Sequence, residues 1–293
     1  MDVWFIIINT IVLASIYGTL AIGISITWSS LGLVNLSYGF VFAFAGYGSW
    51  LFAQHVTSFG PAVLVAGILA GAVAGLIVCA IAFIPIHDKP NFTMRGLIAT
   101  LAINLIGTQL LLWWFGPRSK SLPEIFGTWK VALGDVVLTA DKVGNVLTSV
   151  LMLLVVLRWM QASRRGLEIR AMMMNPHAAS IVGIGVRRTA FYVMAITGGL
   201  AGLAAVLLSQ TYYISPFGGL TPMIKGVAIA LCGGLGSVRG AIIAALLLGL
   251  NEALTTVLLG GQYVLITQFV FIIVVLLIRP RGFAGILDRA REA

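Results

Sequence analysis

From Val3 to His87 the chain carries no Asp, Glu, Lys or Arg. A domain surrounded by water cannot leave that much chain uncharged, because about a quarter of residues in ordinary globular proteins are charged. Over all 293 residues, 60% are apolar and only 9% are charged. A helix crosses the hydrocarbon core with roughly 20 mainly apolar residues. Runs of that kind recur at about 4–27, 61–86, 96–115, 143–160, 189–209, 240–258 and 262–278. Two further runs, about 31–53 and 222–235, are apolar but broken by glycine, asparagine or proline. The fold this predicts is all-α. It is a polytopic membrane helix bundle with about 8–9 spans, forming a single transmembrane domain over 1–293.

The charges orient this bundle. Met1-Asp2 leads directly into an apolar run with no positive region before it, so 4–27 reads as a retained first span rather than a cleaved signal. The net charge is +9. In a soluble chain that excess would suggest nucleic acid, but beside membrane spans it is the positive-inside bias of cytoplasmic loops, and no nucleic-acid partner is expected. The loop 158–188 carries Arg158, Arg164, Arg165, Arg170, Arg187 and Arg188 against Glu168 alone. The tail adds Arg279, Arg281, Arg289 and Arg291, and the link 87–95 adds Lys89 and Arg95. Alternating spans can place all three regions on one side. The segment 116–142, where Arg118, Lys120, Lys130 and Lys142 are balanced by Glu124, Asp135 and Asp141, falls on the other. The N-terminus is therefore expected outside and the C-terminus in the cytoplasm.

The broken runs resemble each other without gaps. Gly32-Leu33-Val34-Asn35-Leu36-Ser37-Tyr38-Gly39 aligns with Gly219-Leu220-Thr221-Pro222-Met223-Ile224-Lys225-Gly226, and at the same offset Ala43 meets Ala230 and Gly46 meets Gly233. With five crossings between them the copies run in opposite directions. That is the inverted repeat by which many transporters place discontinuous helices around a midplane pathway. Irregular backbone at membrane depth is tolerated only where protein or a water-filled cavity satisfies it. Candidate pathway residues are therefore Asn35, Ser37, Tyr38 and Gly39 with Pro222, Lys225 and Gly226. Lys225 reads in two ways: a functional group in the pathway, or a lysine snorkelling to the outer interface. Glu252 either faces a cavity or sits at the outer end of its helix. The small-residue runs Ala70-Gly71-Ala72-Val73-Ala74-Gly75 and Gly198-Gly199-Leu200-Ala201-Gly202 fit helices that approach closely.

Catalytic patterns are missing. No Gly-Lys-Ser/Thr phosphate cradle and no Gly-x-Ser-x-Gly nucleophile elbow occurs. His55, His87 and His177 lack metal-site spacing, so no metal and no catalytic residue is assigned. Cys79 and Cys232 fall in apolar runs and read as small buried hydrophobes.

The loop about 161–188 is the least expected feature of so oily a chain. Glu168 and Arg170 offer polar contacts, and Met172–Met174 with Ile181 offer an adaptable apolar face. Pro176 can start a helical turn after Asn175. The loop reads either as a docking surface for a cytoplasmic partner or as an amphipathic segment held on anionic lipid.

Five stretches carry a resemblance, in order along nearly the whole chain. They are Arg164–Gly185, the Gly32–Gly39 octapeptide, Leu97-Ile98-Ala99-Thr100-Leu101, Lys225 through Gly233-Gly234-Leu235-Gly236-Ser237, and Arg279-Pro280-Arg281-Gly282. Together they resemble the LivH-type membrane permease subunit of bacterial branched-chain amino acid ABC transporters. The resemblance implies an inner-membrane importer subunit that is not itself an enzyme and binds no cofactor. ATP and Mg would sit in two separate ABC ATPases, LivG- and LivF-like. A LivM-like permease, a periplasmic substrate-binding protein and membrane lipid complete the implied partners. In that family the loop matching Glu168–Ile184 docks an ATPase, which here implies Glu168, Arg170, Asn175, Pro176, Ala178, Ala179, Gly183 and Ile184. Two departures bear on the substrate: Lys225-Gly226-Val227 stands where Lys-Ala-Phe is common, and Phe283 where leucine is common. Related permeases carry urea, short amides or other small acids. A stand-alone secondary transporter would need membrane-embedded coupling groups; Glu252 is the single acidic residue within an expected span.

Overall fold

The computed structural model describes residues 3–133, 136–280 and 282–283. The loop carboxylate Asp135 and the tail residues Arg281, Arg289 and Arg291 lie outside the described residues. The chain forms α1 (Val3–Leu31), α2 (Tyr38–His55) and α3 (Gly60–Val78), the last continuing through a π-helical turn (Cys79–Phe83) into α4 (Ile84–Ile86). Then come α5 (Phe92–Phe115), a hairpin of β1 (Lys130–Leu133) and β2 (Val136–Thr139), and α6 (Ala140–Ala162). The second half holds α7 (Arg164–Met174), α8 (Pro176–Ile181), α9 (Val186–Leu208), α10 (Leu220–Gly233), α11 (Val238–Leu258) and α12 (Val264–Ile278). Among the described residues, seven helices are long and apolar enough to cross a membrane, and they coincide with the seven unbroken runs. The all-helical expectation needs one amendment. The segment 116–142 contains an antiparallel hairpin, with Lys130 opposite Thr139, where β-branched valine and threonine suit extended backbone.

The helices sort by how much of their surface they bury. Residues around α1 and α9 are enclosed on nearly every side, with Ile16, Leu20 and Ile24 of α1 sharing a core with Ala201, Ala204 and Leu208 of α9 and Ala244 and Leu248 of α11. In contrast α5, α6 and α12 turn large apolar side chains outward, among them Ile98, Leu105, Leu151, Leu154, Val270 and Leu277. A helix that is apolar all round suits either a protein interior or lipid, and this chain uses both.

Lipid is as apolar as leucine, so helices within it associate through close packing and hydrogen bonds rather than through escape from water. The two small-residue runs meet for this reason. Carbons added at Gly71 and Gly198 would collide with each other's backbone carbonyls, and one added at Gly202 would strike the carbonyl of Gly67. Cys79 and Cys232 are buried free thiols, as the sequence suggests. The π turn precedes Pro85, whose missing N–H ends the regular ladder of the third span.

The two ends of the bundle differ in chemistry. At one end Lys120 and Ile214 exchange backbone hydrogen bonds of 2.8 Å each, and Gln210 accepts from the Ile125 N–H at 3.1 Å. These bonds fasten the loop 209–219 to the segment carrying the hairpin. At the other end Arg187 pairs with Asp88, and the Arg165 guanidinium lies 5.4 Å from the centre of the Tyr192 ring. There too Phe283 donates its N–H to the Cys232 carbonyl at 2.8 Å, closing the last turn of α10.

Candidate functional site

A cavity of about 310 Å³ lies between α1, α2, α9, α10 and the loop 209–219. Its walls are Phe42, Ala43 and Gly46 of α2, Leu208 at the end of α9, Ile214 of the loop and Pro222 of α10. Tyr212 and Tyr213, both largely exposed, stand at its mouth. The partly covered Tyr212 phenol is pushed up from its ordinary value by desolvation and by the nearby Glu252 carboxylate. Tyr17 and Lys225 form the polar part of the floor. An apolar chamber with a few converging polar groups is the usual form of a small-molecule site.

Lys225 is buried, with 6% of its surface exposed, and so does not snorkel to an interface. Its ammonium lies 2.7 and 2.8 Å from the two carboxylate oxygens of Glu252 and donates to the Tyr17 hydroxyl at 3.2 Å. Gln268 of α12 donates from Nε2 to the same carboxylate at 2.8 Å. Glu252 is likewise 6% exposed and not at a wet helix end. Four helices, α1, α10, α11 and α12, thus converge on one charge-balanced cluster beneath the cavity. Isolated charges at membrane depth are costly, and pairing with full hydrogen bonding is what makes these tolerable. Of the residues singled out in the sequence, Pro222 and Lys225 line the cavity; Tyr17 lines it too, and Gln268 joins the cluster beneath it. Gln268, an amide inside a strongly apolar run, was the detectable signal for this cluster.

The other pathway candidates lie outside the lining of this cavity. Asn35 accepts at Oδ1 from the Ser37 N–H at 2.9 Å and from its hydroxyl at 2.6 Å. Thr100 of α5 accepts from the Leu36 N–H at 3.1 Å, and Asn104 accepts from the Phe40 N–H at 2.7 Å. The first N–H groups of a helix have no partner within it, and these side chains supply the partners that water would supply elsewhere. Tyr38, buried one turn from Phe42, shares a 2.8 Å hydrogen bond with Thr27, which in turn donates to Thr197 at 3.2 Å. Asn35, Ser37 and Tyr38 therefore do not line the cavity. Gly39 and Gly219 bring the starts of α2 and α10 together: a carbon on Gly219 would collide with the Gly39 carbonyl. Gly226 packs against Leu20 and Ile24. The aligned octapeptides also differ in form. The first is non-helical through Ser37, whereas the second is helical from Leu220, where Pro222 sits in a first turn that needs no N–H from it.

The loop 161–188 folds as two short helices. Ser163 caps α7 by accepting from the Gly166 N–H at 2.9 Å, and Asn175 caps α8 by accepting from the Ala178 N–H at 3.0 Å. Pro176 opens α8, as its fixed φ favours. Gly183, at φ +88°, ends α8, and the Ile184 N–H reaches back to the Ala179 carbonyl at 3.1 Å, the αL closure that favours glycine. Glu168 pairs with Arg165 of the same helix at 2.6 Å, and Arg170 is exposed. Met172 and Ala179 point inward and are buried, so they anchor the helices instead of presenting a face. The outward apolar surface is Met174, Ile181 and Val182, exposed by 79, 75 and 76%. Large apolar groups that open to water at a polar end mark an interaction surface.

Comparison with known proteins decides the family. The model of the family described as branched-chain amino acid transport system, permease component, matches residues 6–278. The chain belongs to that family. The high-affinity branched-chain amino acid transport system permease protein LivH of Escherichia coli K12 is 28% identical over 291 residues, covering 94% of each chain. BraD, the corresponding permease protein of Pseudomonas aeruginosa, is 26% identical over 290 residues, covering 95% of this chain and 94% of its own. Among solved structures, PsaBC from Streptococcus pneumoniae, solved with a Fab, superposes with a TM-score of 0.54. At 13% identity over 93% of this chain and 91% of that one, it speaks to the fold alone. The chain is a multi-pass inner-membrane protein and a transport subunit of ABC type.

Proposed function

We propose that this chain is one of two permease subunits of an ABC importer for leucine, isoleucine and valine, and that the cavity floored by Lys225 and Tyr17 is a segment of the path. The observation that carries this reading is the pairing, in one bundle of the branched-chain permease family, of an apolar chamber with the exposed face of α8 at the opposite end. Counting α2 and α10 as crossings gives nine spans. The end bearing Lys89, Arg158, Arg170, Arg187 and Arg239 is cytoplasmic by the positive-inside rule, the Val3 end is outside, and the chain's end is cytoplasmic.

On this reading a periplasmic binding protein delivers substrate to the mouth at Tyr212 and Tyr213. The Tyr38–Thr27–Thr197 contacts close the way toward the cytoplasm. Two ATPases, LivG- and LivF-like, bind ATP and Mg; this chain binds neither. Their closure pushes on α7 and α8 through Met174, Ile181 and Val182, and the packed halves switch from one opening to the other. A LivM-like subunit supplies the second half. The test is uptake into proteoliposomes that contain this chain, with the partner permease, ATPases, binding protein and ATP added or omitted singly. Leucine uptake only in the complete mixture is the expected result. Uptake by this chain alone would replace the reading with a secondary carrier, and uptake of urea or amides in place of leucine would change the substrate.

A further inference from the structure

Lys225 has three ammonium hydrogens, and three acceptors surround it: both oxygens of Glu252 and the hydroxyl oxygen of Tyr17. Because Tyr17 accepts from the lysine, its own hydrogen is left to donate elsewhere. Tyr17 and Lys225 both line the cavity, and Glu252 does not. The Tyr17 hydroxyl hydrogen is thus left to meet the chamber, beside an ammonium whose three hydrogens are held, while the balancing carboxylate stands behind them. We propose that Tyr17 and Lys225 form a carboxylate-recognition point in the permease itself, with Glu252 and Gln268 as positioning residues. The ligand class is small carboxylates bearing a branched aliphatic side chain. This rests on the cavity being part of the import path.

The chemistry of the chamber matches both ends of such a ligand. Phe42, Ala43, Leu208 and Ile214 form an apolar wall suited to an aliphatic side chain. The Lys225 ammonium also lies 4.7 Å from the centre of the Tyr17 ring, which fixes it over the aromatic face. Glu252 cancels the lysine charge when the chamber is empty. An incoming carboxylate therefore meets the Tyr17 hydroxyl and an ammonium that must give up a bond to Glu252 to donate to it, which keeps its affinity modest and its release fast. A site that receives preselected substrate and must let it go needs both properties.

Saturation-transfer NMR on the solubilised complete complex, without the binding protein, separates the two ends of the ligand. The probes are leucine, isovalerate, which keeps the carboxylate and loses the ammonium, and isoamylamine, which does the reverse. Isovalerate is expected to displace leucine, and isoamylamine is not. Tyr17→Phe is expected to weaken leucine and isovalerate about tenfold, the loss of one hydrogen bond to a charged group. A double change, Lys225→Gln with Glu252→Gln, keeps the cluster neutral and is expected to abolish the carboxylate preference. In uptake assays Glu252→Gln, which frees the lysine charge, is expected to lower KM and the maximal rate together. Isoamylamine competing as well as isovalerate, no binding of either carboxylate, or unchanged affinities in Tyr17→Phe and the double variant would overturn the proposal. An unchanged KM in Glu252→Gln would remove that residue's positioning role. Leucine uptake without a carboxylate preference would leave the transport reading intact and sink only this inference. Tyr17-dependent isovalerate binding in a complex that imports no amino acid would do the opposite.

Discussion

Lys225 and Glu252 show how a single ionisable residue is made tolerable at membrane depth. Neither is stable there alone, and removing one partner leaves the other charged and buried, at a cost of about 3–5 kcal/mol. Lys225→Ala or Glu252→Ala is therefore expected to lower thermal stability strongly. Replacing both together with leucine is expected to recover most of that loss, because a neutral packed pair has no desolvation to offset. Thermal unfolding of the purified protein, followed for the singles and the double, checks this; additive losses would contradict it. Sequence reading singled out both residues but left each with two readings. They lie 27 positions apart on different helices, and spacing along a chain says nothing about which faces of two helices meet. The hydroxyl of Tyr17 was hidden for a related reason: a tyrosine in an apolar run is unremarkable until a lysine is found beside it.

At the scale of elements, the long spans were legible because lipid demands an unbroken apolar length, and each run from 4–27 to 262–278 became a helix. The breaks were legible as breaks but not in their purpose. Asn35 supplies an acceptor ahead of α2, to which the Ser37 hydroxyl also donates, and α5 completes the set with Thr100 and Asn104. Asn104→Ala leaves the Phe40 N–H without a partner and is expected to destabilise by about 1–3 kcal/mol, measured by the same unfolding assay; a change within error would contradict the capping role. The resemblance between the two octapeptides did not predict a shared shape, since three matched residues cannot outweigh a proline that favours helix at one site. For α8, exposure separates two kinds of residue that the sequence grouped together. Ile181→Asp with Val182→Asp is expected to abolish co-purification of the ATPases while the chain remains folded. A charged residue at Met172 is instead expected to unfold the α7–α8 unit, because that side chain is buried. Retained co-purification in the Ile181–Val182 double would move the docking surface elsewhere.

The whole molecule joins a chamber near one end to an apolar contact face at the other through α1 and α9, the two most enclosed of the long spans among the described residues. The seam of glycines between α3 and α9 brings the two backbones so close that a carbon added at Gly71, Gly198 or Gly202 would collide with the facing carbonyl. Close packing of this kind suits a permease whose halves move as bodies. The direct test of this arrangement is to fill the chamber. Gly46 lines it, and a carbon added there would lie 3.4 Å from Ile214, within ordinary contact. ATP-driven leucine uptake should therefore be measured in the complete complex carrying Gly46→Trp, with ATP hydrolysis followed in the same vesicles. The account predicts that uptake is lost while hydrolysis continues; undiminished uptake through a filled chamber would contradict it.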